Sequence, residues 1–124
     1  MKQKERKFIQ KLHLKTKRNY LNRMIDQKIK CMSIAKKYGK DYWDGNRRYG
    51  YGGYKYITGR WRNVALNLIK TYSLTEKSKI LDVGCGKGYL LYEIKKLIPN
   101  LKIVGFDISN YSIKNSKKEI KKNL

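Results

Sequence analysis

Apolar positions along the chain repeat with two different periods. Tyr20, Leu21, Met24, Ile25, Ile29 and Met32 recur at helical spacings. They predict an amphipathic helix within residues 4–37. The earlier stripe of Phe8, Ile9 and Leu12 is out of phase, so a break is expected between Lys15 and Asn19. Gly39 is placed to cap the end of this helix. Trp61, Val64, Ala65, Leu68, Ile69 and Tyr72 form a second helical face over 60–72. Ile80, Leu81 and Val83 make a short run that stops at Gly84, as a buried strand does. Leu90, Leu91, Ile94, Leu97 and Ile98 return to the helical period over 87–98, and Pro99-Asn100 closes that helix. Leu101, Ile103, Val104 and Phe106 predict a second strand, about 102–106, and Ser109 or Asn110 can cap a last helix over 110–122.

This order predicts an α/β protein. An N-terminal helical and Tyr/Gly-rich extension (1–59) precedes a partial Rossmann-like βαβα unit (60–124) with two parallel strands. Residues 38–60, YGKDYWDGNRRYGYGGYKYITGR, carry six glycines and seven aromatic residues. Glycine at that density predicts a loop, and the aromatic rings distinguish it from a flexible linker. Three roles are open for the tyrosines: local packing, a lid over a ligand, and stacking on bases beside Arg47, Arg48 and Lys55.

Composition changes the picture in one respect. The 124 residues hold 31 Lys plus Arg against 9 Asp plus Glu, a formal net charge of +22. Such a charge invites phosphate binding. However, 24 of the basic residues are Lys and only 7 are Arg, and they spread from Lys2 to Lys122. With 13 Ile and 9 Asn, the Lys excess reads as codon bias and a solvated surface more than a dedicated nucleic-acid face. No stretch approaches the roughly 20 apolar residues of a membrane span, and no signal peptide is expected. Cys31 and Cys85 lack metal-ligand spacing and fit a reducing cytoplasm, and His13 is the sole histidine, so no metal site is expected.

The chemistry concentrates in Ile80-Leu81-Asp82-Val83-Gly84-Cys85-Gly86-Lys87-Gly88-Tyr89. A strand enters a loop with glycine at alternate positions and a helix leaves it. Gly84 permits the tight turn, Gly86 removes a Cβ where a ligand could lie, and Gly88 allows close packing at the helix start. The spacing is G-x-G-x-G and not the G-x-G-x-x-G of dinucleotide sites. Asp82 would repel a pyrophosphate but tolerate a ligand carrying ammonium and sulfonium charges. Asp107, at the end of the second strand, could accept both hydroxyls of a ribose.

LDVGCGKG followed by VGFDIS resembles the cofactor-binding half of the class I S-adenosylmethionine-dependent methyltransferases, strongly over 79–112. The YWDG and GYGGYKY stretches resemble, more weakly, a segment preceding that domain in some bacterial methyltransferases. The resemblance implies S-adenosylmethionine as cofactor. It implies Asp82 supporting the glycine loop and the cofactor's amino group, and Gly84, Gly86 and Gly88 under its methionine part. It further implies Asp107 on the ribose and Ile108 near the adenine. Cys85 is read as a small packing residue of that loop and Lys87 as a solvated charge. No catalytic residue is assigned, because methyl transfer from this cofactor needs alignment more than acid–base groups. Only two strands of an expected seven are recognisable, so the reading is a truncated or partial methyltransferase. Its cofactor binding is expected to be weak or absent, without measurable activity alone. A small-molecule acceptor is expected first. A basic RNA-binding or RNA-modifying protein of the same fold, or an inactive remnant, is the alternative.

Overall fold

A computed structural model describes residues 4–124; the first three residues of the basic amino-terminal stretch lie outside it. Three short helices come first, α1 (Gln10–Leu14), α2 (Tyr20–Ile25) and α3 (Lys28–Ala35), followed by α4 (Lys40–Asp44). After the Tyr/Gly-rich stretch come α5 (Arg62–Tyr72), β1 (Lys79–Val83), α6 (Tyr89–Leu97), β2 (Lys102–Phe106) and α7 (Asn110–Lys114). A 3-10 turn at Lys121–Asn123 ends the chain.

The single helix expected within 4–37 is divided twice. The break at 15–19 is present, and Asn19 caps α2 by accepting from the Asn22 amide at 3.0 Å. A second break falls at Asp26-Gln27, where Gln27 takes a left-handed conformation with φ 38°. Across all three helices only Cys31 is buried. With nothing packed on the apolar stripe, little opposes the breaks. Gly39 does not cap the preceding helix. It leads into α4, inside the segment expected to be all loop, and the left-handed turn falls on Tyr38 at φ 47°.

The α/β unit follows its pattern closely. β1 and β2 are parallel, pairing Lys79 with Lys102 through Val83 with Phe106. Their inner face packs on α6, and α6 packs on α5. Ala65, Leu91, Ile94, Leu101, Ile103 and Ile120 form the buried core. The outer face of the sheet is bare: Leu81, Val83, Val104 and Phe106 are each more than half exposed.

The last helix is much shorter than the 110–122 expected. Ser109 caps α7 by accepting from the Ser112 amide. Asn115 and Ser116 then turn their side chains back onto the carbonyls of Tyr111 and Ile113 and end the helix. The chain bends and drops Ile120 into the core beside Gly88, where a Cβ would lie 2.5 Å from Ile120 Cδ1. Burial of Ile120 replaces two further helical turns.

Candidate functional site

The loop between β1 and α6 is held from below by β2. The Gly84 and Cys85 amides both donate to the Phe106 carbonyl, at 2.7 and 3.0 Å. Gly84 takes φ +80°, and nothing lies within 4 Å of where its Cβ would be. This is an open cradle at the carboxyl ends of the two parallel strands. Gly88 serves the close packing its position suggests.

Asp107 has a role the sequence did not indicate. Its Oδ2 accepts from the Gly86 amide at 2.7 Å and its Oδ1 from the Ser109 amide at 2.8 Å. The carboxylate thereby ties the glycine loop to the start of α7. Asp82 lies half-buried on β1, and no hydrogen bond to its carboxylate is found among the described residues. Burial, and then the charge of Asp107, hold its carboxyl above the ordinary range. Ile108 follows Asp107 and is 77% exposed.

Cys85 is half-buried. Burial and then the charges of Asp82 and Asp107 push its thiol up to about 11, which removes it as a nucleophile at neutral pH.

Two expectations about this loop are corrected. The space over Gly86 is filled by protein: a Cβ there would lie 2.8 Å from the Trp43 ring. The Trp43 indole N–H donates to Ser109 Oγ at 2.8 Å, so α4 is bolted to both the glycine loop and the α7 cap. Lys87 is not a solvated charge but 4% exposed. Its Nζ lies 2.6 Å from Asp44 Oδ2 and donates to the Tyr54 carbonyl at 2.7 Å. Asp44 also accepts from the Tyr54 amide at 2.9 Å and the Tyr111 hydroxyl at 2.8 Å. A carboxylate with three such partners compensates the cost of burying the ammonium group.

The tyrosines form a continuous aromatic array. Trp43 stacks on Tyr51 at 5.2 Å, Tyr51 meets Tyr54 at 4.6 Å, and Tyr54 stacks on Tyr89 at 5.2 Å. Tyr56 continues it and donates its hydroxyl to the buried Glu93. Packing is therefore the first role of this segment. Trp43, Asp44, Tyr54 and Lys87 are the site residues that sequence reasoning missed. The signal available was the WD pair followed at a distance by a lysine inside a glycine loop, which periodicity does not register.

On its other side the aromatic segment borders a cleft of about 1010 Å³ against the N-terminal helices. Arg18, Arg23, Arg47 and Arg48 line it, with Tyr20 and Tyr49 among its aromatic residues.

No helix among the described residues is long and apolar enough to cross a membrane, and no group of three or more His, Cys, Asp or Glu is arranged for a metal there.

Residues 74–124 match the family described as "Methyltransferase domain". The chain is 36% identical over 55 residues, 44% of its length, to a tRNA U34 carboxymethyltransferase of Sulfurimonas denitrificans. It is 36% identical over 56 residues, 45% of its length, to a ribosomal RNA small subunit methyltransferase C of Haemophilus influenzae. The matched stretches span 18% and 17% of those relatives. No solved structure matches the chain. With its parallel strands, glycine turn and strand-end aspartate, the stretch 74–124 is similar to the methyltransferase domain, and the chain spans under a fifth of the length of the curated relatives it matches.

Proposed function

We propose that the chain holds S-adenosylmethionine on the loop formed by Asp82, Gly84, Cys85, Gly86 and Gly88, seated at the open Gly84 turn, with Asp107 and Ile108 at the nucleoside end, and serves methyl transfer to RNA. One observation carries the cofactor reading. In a chain of net charge +22, two carboxylates without a cationic partner among the described residues, Asp82 and Asp107, flank the open cradle at Gly84. Such a place suits a cationic ligand and opposes a pyrophosphate. S-adenosylmethionine supplies a methyl group on sulfonium, open to in-line attack by an acceptor atom. The contribution of this chain is to bind and align. Asp82 attracts the positive end, Asp107 accepts from hydroxyls with its remaining lone pairs, and the exposed Ile108 offers an apolar surface to a base. The indole of Trp43 closes the side of the cradle at Gly86.

RNA is preferred over the small-molecule acceptor expected from the sequence, on two observations. Both relatives carry names that state RNA as their substrate. Four of the seven arginines line one cleft, separated from the glycine loop by Tyr51 and Trp43.

Amide chemical shifts of Gly84, Gly86 and Gly88, followed during titration with S-adenosylhomocysteine, test the cofactor reading. Those three signals should move, and Asp107→Ala should weaken the interaction by about 1–3 kcal/mol, the loss of charge-assisted hydrogen bonds. Equal or larger movement with NAD, or movement unaltered in Asp107→Ala, overturns it.

A further inference from the structure

The geometry points to a second binding site, separate from the glycine loop: we propose that the cleft between α1–α3 and the aromatic segment binds single-stranded RNA, its phosphates on Arg18, Arg23 and Arg47 and its bases on Tyr20 and Tyr49. The inference deepens the RNA reading of the acceptor and is independent of the cofactor reading.

The arginines are distributed unevenly. Lysines are scattered over the whole chain, whereas four of the seven arginines meet in this one cleft. Arginine is the residue whose planar fork suits phosphate and stacks on bases. The cleft brings together Arg18 from the α1–α2 connection, Arg23 from α2, and Arg47 and Arg48 from the turn after α4. Asp26 is the single carboxylate lining it. It is already engaged by Arg48, whose Nε and Nη2 each lie 2.6 Å from a carboxylate oxygen. This pair joins the end of α2 to the aromatic segment across the cleft. Arg18 and Arg23 have no acidic partner among the described residues, and Arg47 donates only to the Gly50 carbonyl. Three guanidinium groups are thus available to an anion.

The aromatic lining supplies the second half of the recognition. Tyr42 and Tyr51 are engaged in the aromatic array, but Tyr20 and Tyr49 make no ring contact among the described residues. Tyr20 is 66% exposed. Unpaired tyrosine faces beside free guanidinium groups are the elements of a single-strand platform. A duplex has no free base faces to use them. At about 1010 Å³ the cleft holds several nucleotides' worth of contact and is large for one small acceptor. Its wall also leads to the glycine loop. Tyr51 lines the cleft and stacks on Trp43, and Trp43 covers Gly86. A strand in the cleft would lie one aromatic layer from the loop.

Fluorescence anisotropy of a short labelled single-stranded RNA with the 124-residue chain, over a salt series, tests this, with inorganic polyphosphate as a base-free polyanion. Arg18→Ala/Arg23→Ala/Arg47→Ala should weaken RNA binding about tenfold or more and reduce the salt slope by about 2, the share of three single-strand phosphate contacts. Tyr20→Ala/Tyr49→Ala should weaken RNA binding about fivefold or more and leave polyphosphate unchanged. All five side chains are at least partly solvent-exposed, so the variants should fold as the parent does. The charge-matched control is Lys77→Ala/Lys102→Ala/Lys118→Ala, at exposed positions elsewhere. If it weakens binding as much as the arginine triple, the attraction is diffuse charge and the cleft is not the site, although the RNA reading stands. If the tyrosine pair has no effect, the cleft is a polyanion site and the inference fails. If the parent chain binds no RNA, both the inference and the RNA reading fail, and the cofactor titration is untouched.

Discussion

The two helical regions of this molecule both carry apolar residues at helical spacings and end in opposite states, the N-terminal pattern being far less one-sided on α3 than on α5 and α6. On α2 and α3, Leu21, Met24, Ile25 and Ile29 are all more than 60% exposed. On α5 and α6, Val64, Ala65, Leu91 and Ile94 are buried. The difference lies partly in the weaker segregation of the α3 pattern and partly in the partner. The second stripe has a sheet face and a facing helix to close against, whereas the first borders only a cleft. An amphipathic pattern thus states what a helix could bury, and the rest of the chain decides whether it does.

The sharpest way to break this comparison is to remove one leucine from each region. Leu91→Ala should cost about 3 kcal/mol, through lost transfer energy and the cavity left in the core. Leu21→Ala should stay within about 0.5 kcal/mol, as an exposed position does. Equilibrium urea denaturation of both variants measures this. Similar losses would show that the N-terminal stripe is packed in solution and that the contrast is wrong.

A lysine pair sharpens the comparison at a second level. Lys87→Met removes a buried cation and leaves Asp44 with only its Tyr54 and Tyr111 donors. The expected loss is about 2 kcal/mol, below the full penalty for a broken buried pair because Asp44 is partly exposed. Lys28→Met, on the exposed α3, should change almost nothing. The pair also has a pH signature. Burial raises the Asp44 carboxyl, but hydrogen bonds from Lys87, the Tyr54 amide and Tyr111, with the charge of Lys87, outweigh it and hold the group below its ordinary value. An acid depressed in the folded state contributes stability above its unfolded pKa of about 3.9, and that contribution is lost as pH falls through the folded value. Acid unfolding of the parent chain should therefore steepen below about pH 4, and Lys87→Met should weaken that dependence.

These particulars show which parts of the molecule were legible in the sequence. The two strands, their parallel pairing, α5 and α6 followed directly from period and turn chemistry, because each buries its pattern against the next element. The Gly84 turn was legible for the same reason: its φ is demanded by chain geometry alone. Contacts between distant residues were not legible. Trp43 over Gly86, Asp44 with Lys87 and Asp107 on the Gly86 amide depend on how two segments dock, and no local spacing encodes that. The overlong last helix was misread in a related way. The period continued through Ile120, but the hydrogen bonds of Asn115 and Ser116 ended the helix first and redirected Ile120 into the core.

The smallest effect expected is also the one that separates folding from function at the glycine loop. Asp82 and Asp44 are both partly buried carboxylates, yet they are displaced in opposite directions. Asp44 has three donors, whereas Asp82 is desolvated and faces the charge of Asp107, which raises it. An acid raised in the folded state opposes folding when ionised. Its penalty is absent below the unfolded pKa of about 3.9, grows as pH rises towards the folded value, and is complete above it. Asp82→Asn carries no charge and should therefore raise Tm at pH 7, by less than Lys87→Met lowers it, and leave Tm unchanged near pH 3. The same variant should reduce the Gly84 and Gly86 shift changes produced by S-adenosylhomocysteine, since it removes half of the negative charge facing the cradle. A residue kept at some cost to stability and needed for a ligand is what a binding site requires. If Asp82→Asn instead lowers Tm equally at both pH values, the side chain is a structural hydrogen-bond acceptor, and the negative cradle rests on Asp107 alone.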